Sequence, residues 1–268
     1  GVGAVNMGDS WIGSLTEVSQ DDGYWVKVGE DVTLAHADAD PVSYDEEGYA
    51  PVVYNNHLGN NLISYPFTSA QTVGEALGDA YSNVYAVASE GVAALWSDAA
   101  QAWVGSLTAF EGSRGYWLVA NNDFSFSFNS NGGSLARQMA PVIAEDPAYR
   151  AVQSDEQAFF FVNSATIRGE ALTSEDLIIA YNGDQVVGSR YWNGELTDVP
   201  AMGVDSDDSE KFADYCEAGD KVSFKVLDAS TGELLDMETD GNIQWIENGI
   251  KVVNLTDVFL PTEVSLSN

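Results

Sequence analysis

The chain has 268 residues, 45% of them hydrophobic, enough for two or three modest cores. Ten Lys and Arg stand against 42 Asp and Glu, a formal net charge of −32. That balance excludes nucleic acid and anionic membrane as partners, because phosphate binding needs cationic side chains. It fits a saline medium, where screening is short-ranged, with recruitment of divalent cations by some carboxylates as a second reading.

The first element is a motif that recurs. Trp11-Ile-Gly-Ser-Leu-Thr16 returns as Trp103-Val-Gly-Ser-Leu-Thr108, and Gly23, Tyr24 and Trp25 return as Gly115, Tyr116 and Trp117, all at an offset of 92. A fixed offset announces tandem modules. The first copy, over residues 1–40, is expected to be partial and to lack its front half. Tyr24–Val28 and Asp31–Leu34 read as short strands, and residues 35–60 as a polar connector holding both histidines, His36 and His57.

The second copy, over residues 60–130, opens with a strand from Leu62 to Phe67. Thr72-Val-Gly-Glu75 is a capping-box pattern that starts a short helix. Strand-like runs follow at Val84–Val87, Ala93–Trp96, Gln101–Val104 and Tyr116–Val119. Asp123–Phe128 alternates strictly, which predicts a half-buried strand with its three phenylalanines on one face. Asn129–Gly133 breaks the pattern and marks the expected domain boundary.

From Gln157 the chain reads as hairpins. Asn182-Gly183 between apolar runs predicts a tight turn with positive φ at both central residues, and Asn248-Gly249 repeats the device after Trp245. Val222–Leu227 and Glu233–Met237 flank a turn at Ser230–Gly232. The fold class is therefore mostly β: tandem small antiparallel modules, with an immunoglobulin-like β-sandwich over 156–258.

The chemistry is sparse. Neither histidine sits in a motif with a nucleophile, and the single Cys216 permits no intramolecular disulfide and reads as a small buried hydrophobe. No apolar run is long enough to span a bilayer. No catalytic residue is assigned, because 42 acids guarantee accidental carboxylate pairs. Asp205, Asp207 and Asp208 form the best calcium candidate, ahead of Asp38 and Asp40, though EF-hand spacing fails and a solvated acidic turn is the favoured account of them. Tyr191 and Trp192 are the candidate sugar-stacking pair. The repeated Trp11, Trp25, Trp103 and Trp117 read as fold-building residues first.

Two stretches carry a resemblance. The span from Asn61-Leu-Ile-Ser-Tyr-Pro66 to Gly115-Tyr-Trp117 resembles a β-rich repeat of large secreted bacterial proteins. Gln157–Phe161, Asp176–Asp184, Thr197–Gly203 and Gly219-Asp220 are similar to a module preceding the C-terminal sorting domain of type IX secretion cargo. Residues 259–268 look like the lead-in to such a domain, and Val186 stands where similar modules often carry a cysteine. The resemblance implies secretion to the cell surface and no particular activity.

The resulting expectation is a non-catalytic extracellular structural or adhesive region of a larger cell-surface protein. Its partners would be other domains of the same polypeptide, with surface glycan or self-association in addition. A carbohydrate-binding accessory of a secreted enzyme is one alternative, and a self-assembling subunit of a surface filament or virion shell is another.

Overall fold

A computed structural model describes residues 2–30, 32–33, 52–130, 137–205, 208 and 210–258. In chain order the elements are β1 (Ala4–Asn6), β2 (Trp11–Gly13), β3 (Tyr54–Asn56), β4 (Gly59–Ser64), β5 (Gln71–Thr72) and α1 (Val73–Leu77), then β6 (Val84–Ser89), β7 (Val92–Ser97), β8 (Ala102–Gly105), β9 (Ala109–Phe110), β10 (Gly115–Ala120) and β11 (Phe124–Phe126). The remainder are β12 (Gln157–Ile167), β13 (Glu170–Ala171), β14 (Leu177–Asn182), β15 (Gln185–Tyr191), β16 (Thr197–Met202), β17 (Ser223–Asp228), β18 (Glu233–Gly241) and β19 (Ile250–Asp257). The chain is mostly β, and among the described residues no helix is long and apolar enough to cross a membrane.

It divides into two compact units: residues 1–85 with 109–137, and residues 86–108 with 138–268. In the first unit β4 and β10 pair antiparallel, from Gly115↔Ser64 to Ala120↔Gly59. Below them lies an aromatic core. Phe128 meets Tyr54, Tyr65 and Phe110 edge-on at 5.1, 5.2 and 5.1 Å, and Phe110 meets Tyr116 at 4.6 Å. Such edge-to-face pairs contribute beyond their buried area. The alternation of the Asp123–Phe128 stretch survives: Phe126 and Phe128 are buried and Phe124 is partly covered, though only Phe124–Phe126 is paired, to β3. The capping box forms, with the Glu75 amide donating to Thr72 Oγ1 and the Thr72 amide to Glu75 Oε2.

In the second unit an eight-stranded sheet runs β13-β12-β19-β18-β17-β14-β15, with β16 also on β12. Its core holds Phe160, Val162, Ile178, Val187, Phe224, Val226, Trp245 and Val253, with Cys216 buried among them. Phe160 and Phe224 meet edge-on at 5.4 Å. The β17–β18 hairpin turns where expected, with Asp228 paired to Glu233.

Three expectations need correction. Tyr24–Val28 is not a strand: the only pairing there is the bridge from Asp22 to Ile63, and Trp25, Val26 and Val28 are exposed. In the β14–β15 turn Asn182 still pairs with Gln185, so Gly183 and Asp184 are the central residues and only Gly183 has positive φ, 57°. A glycine first in a two-residue turn is the type II′ requirement. Asn248-Gly249 does not close a hairpin. The Asn248 amide donates to Gln157 O and the Phe159 amide to Gly249 O, delivering β19 parallel to β12 and antiparallel to β18.

Candidate functional site

The repeat turns out to be a repeated piece of backbone geometry. In the first unit, the Ser19 amide donates to Tyr24 Oη at 2.7 Å, and the Glu111 amide donates to Tyr116 Oη at 2.7 Å. Ser19 and Glu111 stand at the same 92-residue offset as the tyrosines. Each phenol therefore pins the loop five residues upstream, which explains why Tyr follows Gly in both copies. Burial pushes the Tyr116 phenol up to about 12, keeping it a neutral hydrogen-bonding group.

The hairpin before each corner is also the same object. β1 pairs with β2 and β7 with β8, matching Ala4↔Gly13 with Ala94↔Gly105. The Leu15 amide donates to Gly3 O at 3.1 Å, and the Leu107 amide to Ala93 O at 3.0 Å. Both second-strand glycines are required by close backbone approach: an added Cβ would lie 2.0 Å from Gly3 O at Gly13 and 2.3 Å from Ala93 O at Gly105. Sequence comparison at a constant offset misses this first strand. Asn6 pairs directly with Trp11, whereas the second copy carries one more pair, Ser97↔Ala102, beyond Trp96↔Trp103, so these two extra residues make the offset upstream 90.

The two hairpins differ in what covers them. In the second unit, Asp198 of β16 reaches the β7–β8 hairpin. Its carboxylate accepts from the Ala93 amide at 3.2 Å, the Ser106 amide at 2.7 Å and Ser106 Oγ at 2.5 Å. Arg190 of β15 completes the clamp, with Nη2 3.3 Å from the Asp198 carboxylate and 2.6 Å from Gly91 O, and with Nε donating to Asp198 O at 2.9 Å. Burial pushes the Asp198 carboxyl up from its ordinary value, and Arg190 and the Ser106 and Ala93 donors oppose that. Gln157 adds bonds from its side chain to the Gly91 amide and Ser89 O. Val92 is 7% exposed and Leu95 4%.

Their first-copy counterparts Val2 and Val5 are 66% and 64% exposed, beside Trp11 at 68% and Ile12 at 61%. Trp103 and Val104, which match those last two, are half-buried. Ser14, the counterpart of Ser106, accepts from the Gly3 amide through Oγ at 3.3 Å. The first-copy hairpin thus displays Val5 and Ile12 as a solvent-exposed cross-strand pair, with Val2 and Trp11 exposed beside them, and exposed apolar groups of this kind mark interaction sites.

The other candidate residues fall elsewhere. Asp205 is buried and Asp208 exposed, with the Asp208 amide on Asp205 O, while Asp207, Asp38 and Asp40 lie outside the described residues. Asp205 instead joins Asp155 and Glu247 around Glu156, which burial and those neighbours push up to about 7. Among the described residues no group of three or more His, Cys, Asp or Glu is arranged to hold a metal ion. Tyr191 and Trp192 are half-buried, Tyr191 against a small apolar cluster that includes Ala144, Leu177 and Ile179 and Trp192 against the sandwich core. Trp25 is 44% exposed, and Trp103 and Trp117 carry buried Nε1 groups without a hydrogen-bond partner. The Gly23 and Gly115 backbones lie against β4, the Gly23 amide donating to Leu62 O. An open acidic cleft of about 550 Å³ in the second unit is lined by Asn182, Asp184, Asp214, Glu217 and Asp220, and a cleft of about 220 Å³ in the first by Asp21, Asp22, Asn55, His57 and Asn61. His57 Nδ1 lies 2.9 Å from Leu58 O.

The Asp198 clamp was invisible in the sequence. Its only signal is an acid inside a run, Thr197–Met202, whose every other residue is suited to burial. No family model, curated protein or solved structure matches the chain.

Proposed function

We propose that the chain is a non-catalytic extracellular region of a larger cell-surface protein, serving structure and adhesion. The observation that carries this reading is the pair of equivalent hairpins, one clasped by Asp198 onto a β-sandwich and one presenting Val5, Trp11 and Ile12 to solvent. A module that spends its most specific polar contacts on holding a hairpin, and repeats that hairpin as an exposed ridge, is organised for joining protein surfaces. The net charge of −32 supports a saline, solvent-facing setting. Secretion by the type IX route and surface attachment rest on the resemblance of the Gly-Tyr-Trp and Thr197–Gly203 segments alone.

A panel of polysaccharide and peptide substrates tests the non-catalytic reading. No turnover above buffer is expected, and hydrolysis abolished by a single carboxylate substitution would overturn it. The exposed ridge also supports self-association as a second reading. Light scattering across protein concentration separates the two: growth of the particle with concentration, suppressed by Ile12→Asp, favours assembly of like chains.

A further inference from the structure

We infer that the β1–β2 hairpin is a docking site for an extended protein strand that presents an aspartate between apolar residues, the chemistry that β16 presents to β7–β8. The inference deepens the adhesive reading and rests on it, by naming what the ridge takes. Its basis is the internal equivalence. The two hairpins share register, the close approach of a glycine to Gly3 O or Ala93 O, and the same leucine amide bond to that carbonyl. They also share the serine that follows the glycine, Ser14 and Ser106.

In the second copy those groups form a carboxylate cradle: two amides and one hydroxyl converge on Asp198. In the first copy the same hydroxyl has turned to accept from the Gly3 amide, the position equivalent to Ala93. An incoming carboxylate accepts from that amide in place of Ser14 Oγ and frees the Ser14 hydroxyl to rotate and donate, which reassembles the cradle. Charge-assisted bonds of this type are stronger and shorter than the neutral bond they replace. Apolar residues flanking the aspartate would cover the exposed cross-strand pair Val5 and Ile12. The chain's own Asp198 is engaged on Ser106, so the occupant is a strand of a separate molecule.

The test uses the full chain, labelled with nitrogen-15, and a synthetic peptide spanning residues 194–203, which contains Asp198 and Pro200. Titration to several millimolar at high salt is expected to shift the Gly3, Ile12 and Ser14 amides with a dissociation constant below about 1 mM, a range that chemical-shift mapping reads directly. The peptide carrying Asp198→Ala should bind at least tenfold more weakly. Ser14→Ala and Ile12→Asp in the chain should each lower affinity. Equal binding of both peptides, shifts confined to Ala93 and Ser106, or no shift at the highest concentration would each overturn the inference. None of those results touches the non-catalytic reading, which the substrate panel decides separately.

Discussion

Replacing Asp198 with alanine should be among the most damaging single changes to the second unit. The side chain is 2% exposed and satisfies four donors: two amides, one hydroxyl and the Arg190 guanidinium. Removing it strands a guanidinium that is itself 9% exposed, leaving only the carbonyls of Gly91 and Asp198 as acceptors. Breaking a buried pair from one side costs about 3–5 kcal/mol. Each orphaned amide adds about 1–3 kcal/mol, though the terms overlap because the hairpin relaxes. A loss of about 4–5 kcal/mol is therefore expected. Asp198→Asn, which keeps one acceptor oxygen, should cost about half as much. The assay is urea unfolding followed by tryptophan fluorescence, with Trp96, Trp103, Trp192 and Trp245 reporting on the second unit. Combining Asp198→Ala with Arg190→Met should cost about 2 kcal/mol less than the sum of the single changes, because the double variant buries no lone charge. A cost below about 1 kcal/mol for Asp198→Ala, or strict additivity with Arg190→Met, would refute the clamp as a coupled unit.

Tyr116→Phe leaves the Glu111 amide without its acceptor and should destabilise the first unit by about 1–2 kcal/mol, whereas Tyr24→Phe, at a solvent-exposed corner, should cost under about 0.5 kcal/mol; equal losses in urea titrations would contradict the difference in burial. Glu156 has a folded pKa raised from 4.5 to about 7, so the native state holds its proton longer than the unfolded chain and stability falls as pH rises between those values. The shift alone corresponds to about 3 kcal/mol; because the group is only half-buried and solvent screens it, about 1 kcal/mol is the expected effect. Glu156→Gln should thus be more stable than the parent at pH 8 and equal to it near pH 4.5, and a pH-independent difference would count against this cause. Cys216 lies in the sandwich core with its thiol pushed up to about 12 by burial and by Asp220, so a thiol reagent at pH 8 should label it only on global unfolding. Rapid labelling of the native chain would place it elsewhere.

What the sequence disclosed was local. The Thr72–Glu75 capping box and the β17–β18 turn depend on residues within five positions of one another, and each appears where its residues announce it. What stayed hidden depends on distant partners. The pairing of β12 with β19 joins residues about ninety positions apart, and no periodicity encodes parallel rather than hairpin connection. The Tyr24–Val28 run has a strand's composition but only one bridge, at Asp22, to a neighbouring backbone. Asp198 hid among 42 acids because its role is set by Ser106 and Ala93, which lie more than ninety residues before it. The equivalence of β1 with β7 was masked by the extra pair Ser97↔Ala102, which shifts the offset by two.

The parallel match of β12 with β19 has a mechanical consequence. Seven residue pairs, from Phe159↔Ile250 to Thr166↔Thr256, tie the first strand of the sandwich to its last. Because the two run in the same direction, tension that enters before Gln157 and leaves after Asp257 acts at opposite ends of the pair. Its hydrogen bonds are then loaded together in shear, where a hairpin would open them one at a time. The parallel pair thus resists a pull along its own chain better than a hairpin would.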